Sequence, residues 1–416
     1  MASSFHQFLL LLCCSVWYLT HISQSQSSPL PNALLLPITK DATTLQYVTK
    51  ILHGTPLVPV NLVVNLGGPL LWTDCSSRFA SSSSRSIPSR SIKCSREKAH
   101  DLGTKRTTCP SSAQPCEVST ENGITRMATR GELVEDIVAV GSIAGSKATV
   151  DQFVFSCAPT FLLNGLASGA KGMMGLGRTP IALPSQISTA LGTQQKFTIC
   201  LSSSDGILVS DQGPHDSVFG PEISRSVTYT PLFSLQEHSI GVKSIKINGN
   251  RLSLNASLLS SNGGTKLSTI VPYTTMESTI YATFIKAYIQ AAASMNMTRV
   301  ASVAPFGLCF SSKGIDSKQL SLKVPAIDLV LQSEMVKWRI LGRNSMVRVN
   351  DEVMCLGFLD GGLNPMTSIV LGGYQLEDIV LQFDLGTSML GFSPSLLMWE
   401  RSCSDFKFDS WPKYSL

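Results

Sequence analysis

The sequence predicts a large all-β protein on three observations. Short apolar or β-branched runs recur along its 416 residues, separated by clusters of Gly, Pro, Ser and Asn. Charged residues make up 15% of the chain, against roughly 25% in ordinary soluble domains. Hydrophobic residues make up 43%, which excludes disorder as the main state. The length suits more than one domain.

The expected strands fall, in order, at 58–66, 131–140, 149–155, 196–201, 206–210, 240–247, 268–271, 326–331 and 368–371. At 243–247 the run meets Asn248-Gly249, two residues that accept the left-handed backbone of a tight hairpin turn, with a second strand starting at Arg251. Residues 76–120 differ. They are rich in Ser, Arg and Pro, contain Cys94, Cys109 and Cys116, and read as a long irregular loop stapled by disulfides. One helix is expected over 277–295. Ile280, Phe284, Ala287, Tyr288 and Ala291 form a stripe on one face, and Asn296 ends it.

The chain opens with an apolar run from Phe8 to Leu19, broken only by Ser15. It is short for a membrane span and fits the core of a secretory signal peptide, here placed at 1–26. No later stretch is long and apolar enough to span, so a soluble secreted chain is expected. Cleavage removes Cys13 and Cys14 and leaves nine cysteines: Cys75, Cys94, Cys109, Cys116, Cys157, Cys200, Cys309, Cys355 and Cys403. Secretion favours disulfides, and an odd count leaves one thiol free or paired outside the chain. No Cys-x-x-Cys occurs and no His lies at zinc-finger spacing, so no metal site is expected. Asn255 and Asn296 open Asn-x-Ser/Thr sequons and are N-glycan candidates.

Other chemistries find little support. The net charge of +5 comes without a Lys/Arg block, which argues against a nucleic-acid partner. The glycines of 172–177 lack the Lys-Ser/Thr of a phosphate loop and the first-strand position of a dinucleotide fold, so no cofactor is expected. His53, His100, His215 and His238 sit in no hydrolase motif.

The chain also looks doubled. VNLVVNLGGPLLW ends a strand in a turn at 60–72, and an apolar-apolar-Gly element follows at 172–177. STIVPYTTM does the same at 268–276, and IVLGG follows at 369–373. With Gly175-Leu176-Gly177-Arg178 and Ala182-Leu183-Pro184-Ser185-Gln186, these elements resemble the pepsin-like aspartic peptidases. The segments LASGAKGMMGLGRTPIALPSQ, IGVKSIKING, RVASVAPFGLCF, AIDLVLQSEMVKW and TSIVLGGYQLEDIVLQFDLGTSMLGFS are similar to a subfamily, the plant xylanase- and xyloglucanase-inhibitor group. That group also takes in extracellular dermal glycoproteins and seed basic globulins.

The resemblance implies a bilobal, pepsin-like all-β fold with a few short helices, its N-terminal lobe at 27–220 and its C-terminal lobe at 221–416. It places the two catalytic aspartates of active relatives at Asn65 and Val271. Pepsin chemistry needs a carboxylate pair, one member activating water and the other holding a proton. An amide and an isopropyl group supply neither role, so no catalytic residue and no peptidase activity are expected. The covering hairpin, expected near 125–136, lacks the tyrosine that active relatives carry there.

The function implied is a secreted inhibitor in the extracellular space or cell wall that blocks the clefts of microbial glycoside hydrolases in plant defence. Such clefts carry two carboxylates that a cation could pair with. The arginines that relatives insert would match Gln319, beside Lys318, and Glu400, beside Arg401. Two departures from Arg leave open a peptide-binding or seed-globulin role, or a copy that has lost its target. The resemblance also implies the pairs Cys75–Cys157, Cys200–Cys403, Cys309–Cys355 and Cys109–Cys116. Relatives carry twelve mature cysteines; three positions are missing around 95–108, which would leave Cys94 as the free thiol.

Overall fold

The computed structural model describes residues 34–76, 81–95, 114–142, 147–210, 216–234, 236–260, 264–315 and 320–406. The expected signal peptide, Lys318, Gln319 and Cys109 lie outside these. Among the described residues the architecture is mostly β: one 14-stranded sheet and three smaller sheets of four or five strands, all in the C-terminal half.

The large sheet joins both halves. Lys196–Cys200 pairs antiparallel with Val380–Asp384, which pairs in turn with Met389–Phe392. Thr228–Pro231 closes that edge against Met389–Phe392. The boundary expected at 220/221 falls between the short helices Asp216–Phe219 and Pro221–Ser226. At the junction Lys40 Nζ lies 2.5 Å from Glu377, and the Tyr47 hydroxyl donates to the same carboxylate at 2.8 Å. Burial pushes the Glu377 carboxyl up, against the lowering effect of Lys40.

Each half contains a similar knot. Val58–Asn65 runs parallel to Gly172–Gly175, and Trp72–Asp74 returns antiparallel to it on the other side. In the C-terminal half Thr265–Leu267 runs parallel to Ile369–Leu371, with Thr274–Met276 returning antiparallel. The apolar-apolar-Gly element is thus the middle strand of three in both halves. Its glycines are required by close approach: a Cβ on Gly175 would lie 2.3 Å from Leu70 O, and one on Gly372 would lie 2.4 Å from Tyr273 C. The strand expected at 268–271 is corrected here. The strand is Thr265–Leu267, and 268–273 forms the turn.

The long helix spans Ser278–Ser294. Glu277 caps it, accepting from Thr279 N and Ile280 N at 2.8 and 3.1 Å. Ile280, Phe284, Tyr288 and Ala292 are buried, and Asn296 takes φ 58° just beyond the end. The hairpin at Asn248-Gly249 forms as expected, with φ of 47° and 81° joining Ser244–Ile247 to Asn250–Arg251. The expected run at 240–247 is split, because Ser239–Ile240 belongs to a different sheet from Ser244–Ile247.

Within 76–120, the described residues 81–95 and 114–120 are less irregular than the composition suggests. Arg85–Ser86 and Glu117–Asn122 both pair with the long strand Met127–Ser142. Pro88 bridges Pro115, Ser89 N donates to Gln114 O, and Cys116 N donates to Ile87 O at 2.7 Å. These bonds bring Cys94 and Cys116 together with Cα atoms 5.7 Å apart, and they form a disulfide. The expected Cys109–Cys116 pair and the free thiol at Cys94 are therefore corrected. The other three bonds join Cys75 to Cys157, Cys200 to Cys403 and Cys309 to Cys355. Asn255 and Asn296 are both exposed. No helix among the described residues is long and apolar enough to cross a membrane.

Candidate functional site

The two knots meet back to back at their turns, where the strand registers define equivalent positions. Val63 faces Met173 and Trp72 faces Met173 in the first half. Lys266 and Thr275 both face Val370 in the second. Laying Met173 on Val370 sets Val63 on Lys266 and Trp72 on Thr275, an offset of 203 in both strands. The same offset sets Asn65 on Ser268, Leu66 on Thr269, Gly67 on Ile270 and Gly68 on Val271.

A hydrogen-bonded crossing confirms this register. The Thr269 hydroxyl accepts from Leu66 N at 3.0 Å and donates to Val64 O at 2.6 Å, all of it buried. Thr269 thus ties its own turn to the residue that matches it in the other half. The partner of Asn65 across the pseudo-twofold is Ser268, and the expected assignment to Val271 is corrected. Val271 sits three residues further round the turn. Its N–H donates to the Ser268 hydroxyl at 3.3 Å, and its carbonyl accepts from Gly373 N at 2.8 Å.

The cleft above these turns is partly filled. Ile270 stands where the first half has Gly67, and its side chain reaches the covering hairpin. A Cβ on Gly123 would come within 2.5 Å of Ile270 Cδ1 and 3.6 Å of Asn65 Nδ2. That hairpin is Glu117–Asn122 with Met127–Ser142, its tip at 123–126, so it begins earlier than expected. Asn122 fixes the tip. Its carbonyl oxygen accepts from Ile124 N and Thr125 N, and its amide donates to Leu162 O and Asn164 O at 2.8 and 2.9 Å. A cavity of about 250 Å³ remains on one side, lined by Asn65, Gly68, Trp72, Ile181, Lys266 and Ile270 among others. The Lys266 ammonium is paired with Glu237 on its wall. Below the turns, His238 is fully buried. Its Nε2 donates to Leu176 O at 2.9 Å, and burial, aided by the charges of Arg178 and Lys266, pulls its pKa down to about 4.

Glu400 and Arg401 lie on a separate C-terminal ledge. The turn of 3-10 helix Leu396–Trp399 exposes Met398 (61%) and Trp399 (42%), and Glu400 follows in left-handed conformation at φ 54°. Arg401 packs against the protein's own surface. It is only partly exposed, and its guanidinium lies 5.0 Å from the centre of the Phe406 ring. The ledge is rigidly held. Asp378 O accepts from Leu396 N at 2.7 Å, and Asp378 Oδ1 accepts from Ser402 Oγ and Cys403 N at 2.8 and 2.9 Å. Burial pushes the Asp378 carboxyl up, and those two hydrogen bonds oppose it. Ser395 Oγ donates to Asn344 Oδ1 in the short helix Gly342–Ser345. On the other flank of that helix, Leu320 O lies so close that a Cβ on Gly342 would approach it to 2.5 Å. Leu320 begins the helical turn Leu320–Lys323, which exposes Leu322 (82%). Among the described residues no cluster of His, Cys, Asp and Glu is arranged to hold a metal ion.

Ser268, Ile270, Asn122 and Leu322 were missed by sequence reasoning. Only Ser268 left a signal, as the Ser-Thr that starts the second turn.

Comparison with known proteins agrees with this architecture. Residues 47–209 match the xylanase inhibitor N-terminal domain, and 237–394 match the xylanase inhibitor C-terminal domain. A protein of Nicotiana benthamiana called probable aspartic proteinase GIP2 is 46% identical over 99% of this chain and all of its own length. Gamma conglutin 1 of Prunus dulcis is 38% identical, with 98% of each chain covered. The crystal structure of EDGP is similar with a TM-score of 0.84 at 47% identity, covering 92% of this chain and all of that one. The crystal structure of basic 7S globulin from soybean follows at 0.77 and 34%, covering 90% and 99%. The chain therefore belongs to the xylanase-inhibitor family of pepsin-like proteins.

Proposed function

We propose that this protein is a secreted, non-catalytic member of its family that binds the cleft of a microbial glycoside hydrolase and occludes it. Inactivity follows from the pair at the centre of the fold. Asn65 and Ser268 offer an amide and a hydroxyl, and neither can take a proton from water near neutral pH as a carboxylate does. Ile270 adds a steric obstacle under the covering hairpin.

The observation that carries the binding role is the ledge. Met398 and Trp399 are apolar and exposed, on a short helix held by Asp378, Asn344 and the Cys200–Cys403 disulfide, and Leu322 is exposed on the helical turn that packs against Gly342. Exposed apolar side chains on a rigid support suit burial in a partner, because little ordering is lost on binding. With Arg401 folded onto Phe406, Trp399 becomes the anchor and Glu400 its polar neighbour.

The test is inhibition of a panel of secreted microbial xylanases and xyloglucan-degrading endoglucanases. Competitive inhibition of at least one is expected. Binding to none of them, together with massive accumulation in seed, would favour the second reading, a seed-globulin role, which the likeness to gamma conglutin and basic 7S globulin supports. Pepstatin-sensitive cleavage of an unfolded protein at any pH from about 2 to 7 would overturn inactivity.

A further inference from the structure

We propose that the outer face of the four-stranded sheet of the C-terminal half is a docking surface for an acidic polysaccharide, gripping its uronate carboxylates. The surface is distinct from the ledge and does not depend on hydrolase binding.

The sheet runs in the order Asn250–Arg251, Ser244–Ile247, Ile327–Val330, Lys337–Ile340. Its inner residues, Ile245, Ile247, Leu329, Trp338 and Ile340, are buried in the main core. Strand alternation turns the intervening residues outward. Register then aligns Arg251 with Lys246, Lys246 with Asp328, and Asp328 with Arg339, in one row across all four strands. Neighbours in such a row are about 4.8 Å apart. Lys337 flanks it and is exposed, and Lys243, exposed just before the second strand, donates to Gln332 O at 2.6 Å near the turn that carries Glu334. Four cations between positions 246 and 339 therefore gather on one face, with Lys243 at its margin, against the two carboxylates Asp328 and Glu334.

The internal carboxylates already display the contacts a ligand would make. Glu334, exposed in the turn before Lys337, bridges Lys246 at 2.7 Å and Arg251 at 3.0 Å. The Lys246 hydrogen bond, with the charges of Lys246, Arg251 and Lys337, holds that carboxyl below its usual range. Asp328, buried beneath the row, takes a two-pronged contact from Arg339 at 2.7 and 3.0 Å, which holds the guanidinium in place. Glu334 can swing away and yield its two cations to an incoming carboxylate.

A pleated face offers its cations in rows rather than around a cavity, which fits a linear polymer bearing one carboxylate per sugar. The outward residues of these strands include no aromatic ring on which a base could stack, which disfavours single-stranded nucleic acid.

The test is retention of the whole protein on immobilised polygalacturonate, compared with neutral xyloglucan, across a salt gradient. Selective retention that weakens with salt is expected. The variant Lys243→Glu, Arg251→Glu, Lys337→Glu should bind at least about tenfold more weakly. The variant Lys50→Glu, Lys171→Glu, Lys286→Glu changes net charge equally on other exposed positions and should stay within about twofold. Equal loss in both variants would reduce the effect to net charge and overturn the proposal, as would no retention on polygalacturonate. Tighter binding to RNA or to anionic lipid vesicles at the same salt would overturn the choice of polysaccharide. A measurement without variants guards against misfolding: soluble polygalacturonate should slow acetylation of Lys243, Lys246 and Lys337 and leave Lys50 unchanged. Uniform rates would contradict the assignment.

Discussion

Ser268 and Thr269 begin the second turn, where the two halves meet. Thr269 joins the two turns through a bond it accepts and a bond it donates, both buried. Thr269→Val keeps the shape but strands a buried N–H and a buried carbonyl. A loss of about 2–4 kcal/mol is expected in denaturant unfolding, and a loss under about 0.5 kcal/mol would show that the crossing contributes little. The first turn was legible because Asn65 is followed by Gly67 and, at the right distance, Trp72. The second was not. Ile270-Val271-Pro272 replaces glycine with bulk, and Val271, the residue the resemblance points to, lies three positions beyond the Ser268 that the strand register sets opposite Asn65. Disulfide pairing was hidden for a similar reason: the bonds that place Cys94 beside Cys116 run through backbone groups of Ile87, Ser89 and Gln114, which leave no side-chain pattern.

Periodic elements were easier to see than polar ones. The helix Ser278–Ser294 announces itself through its apolar stripe, and the turn Asn248-Gly249 through two residues that accept positive φ. Leu34–Lys40 has Pro37 in its middle, which argues against a strand in sequence; Pro37 needs no N–H where it lies. Glu117–Asn122 is polar apart from Val118 and shows no sustained alternation of residue class, although Val118, Thr120 and Asn122 all face inward. That strand matters because it carries Asn122, whose four hydrogen bonds hold the covering hairpin shut. Asn122→Ala should lower stability by about 2 kcal/mol or more and speed amide exchange at 123–126. Unchanged exchange there would mean that Ile270 alone holds the tip.

At the scale of the molecule, one sheet and one buried histidine tie the halves together. His238 packs among Phe197, Phe383 and Leu176, with its Nδ1 buried and without a hydrogen bond. Its pKa of about 4 in the fold lies below the ordinary 6.5. The unfolded chain therefore takes up a proton first as pH falls. The stability tied to this ring is complete above 6.5 and drains away toward 4, by up to about 3 kcal/mol. His238→Gln should flatten the dependence of unfolding free energy on pH in that window, and an unchanged slope would assign the acid sensitivity elsewhere. Bilobal architecture was legible from two distant glycine elements, whereas the charge distribution was not. A total of +5 gave no hint that Lys246, Arg251, Lys337 and Arg339 share a face.

The proposed inhibitor acts through the apolar ledge of its pepsin-like scaffold rather than through the old cleft. Inhibition constants for a sensitive hydrolase test it most directly, measured with the wild type, with Trp399→Ala and with Ile270→Gly. Trp399→Ala should weaken inhibition by at least about 2 kcal/mol, some thirtyfold, as expected of a buried aromatic anchor. Ile270→Gly, which opens the old cleft, should leave it unchanged. Full inhibition by Trp399→Ala with loss in Ile270→Gly would contradict the claim and return the binding role to the cleft.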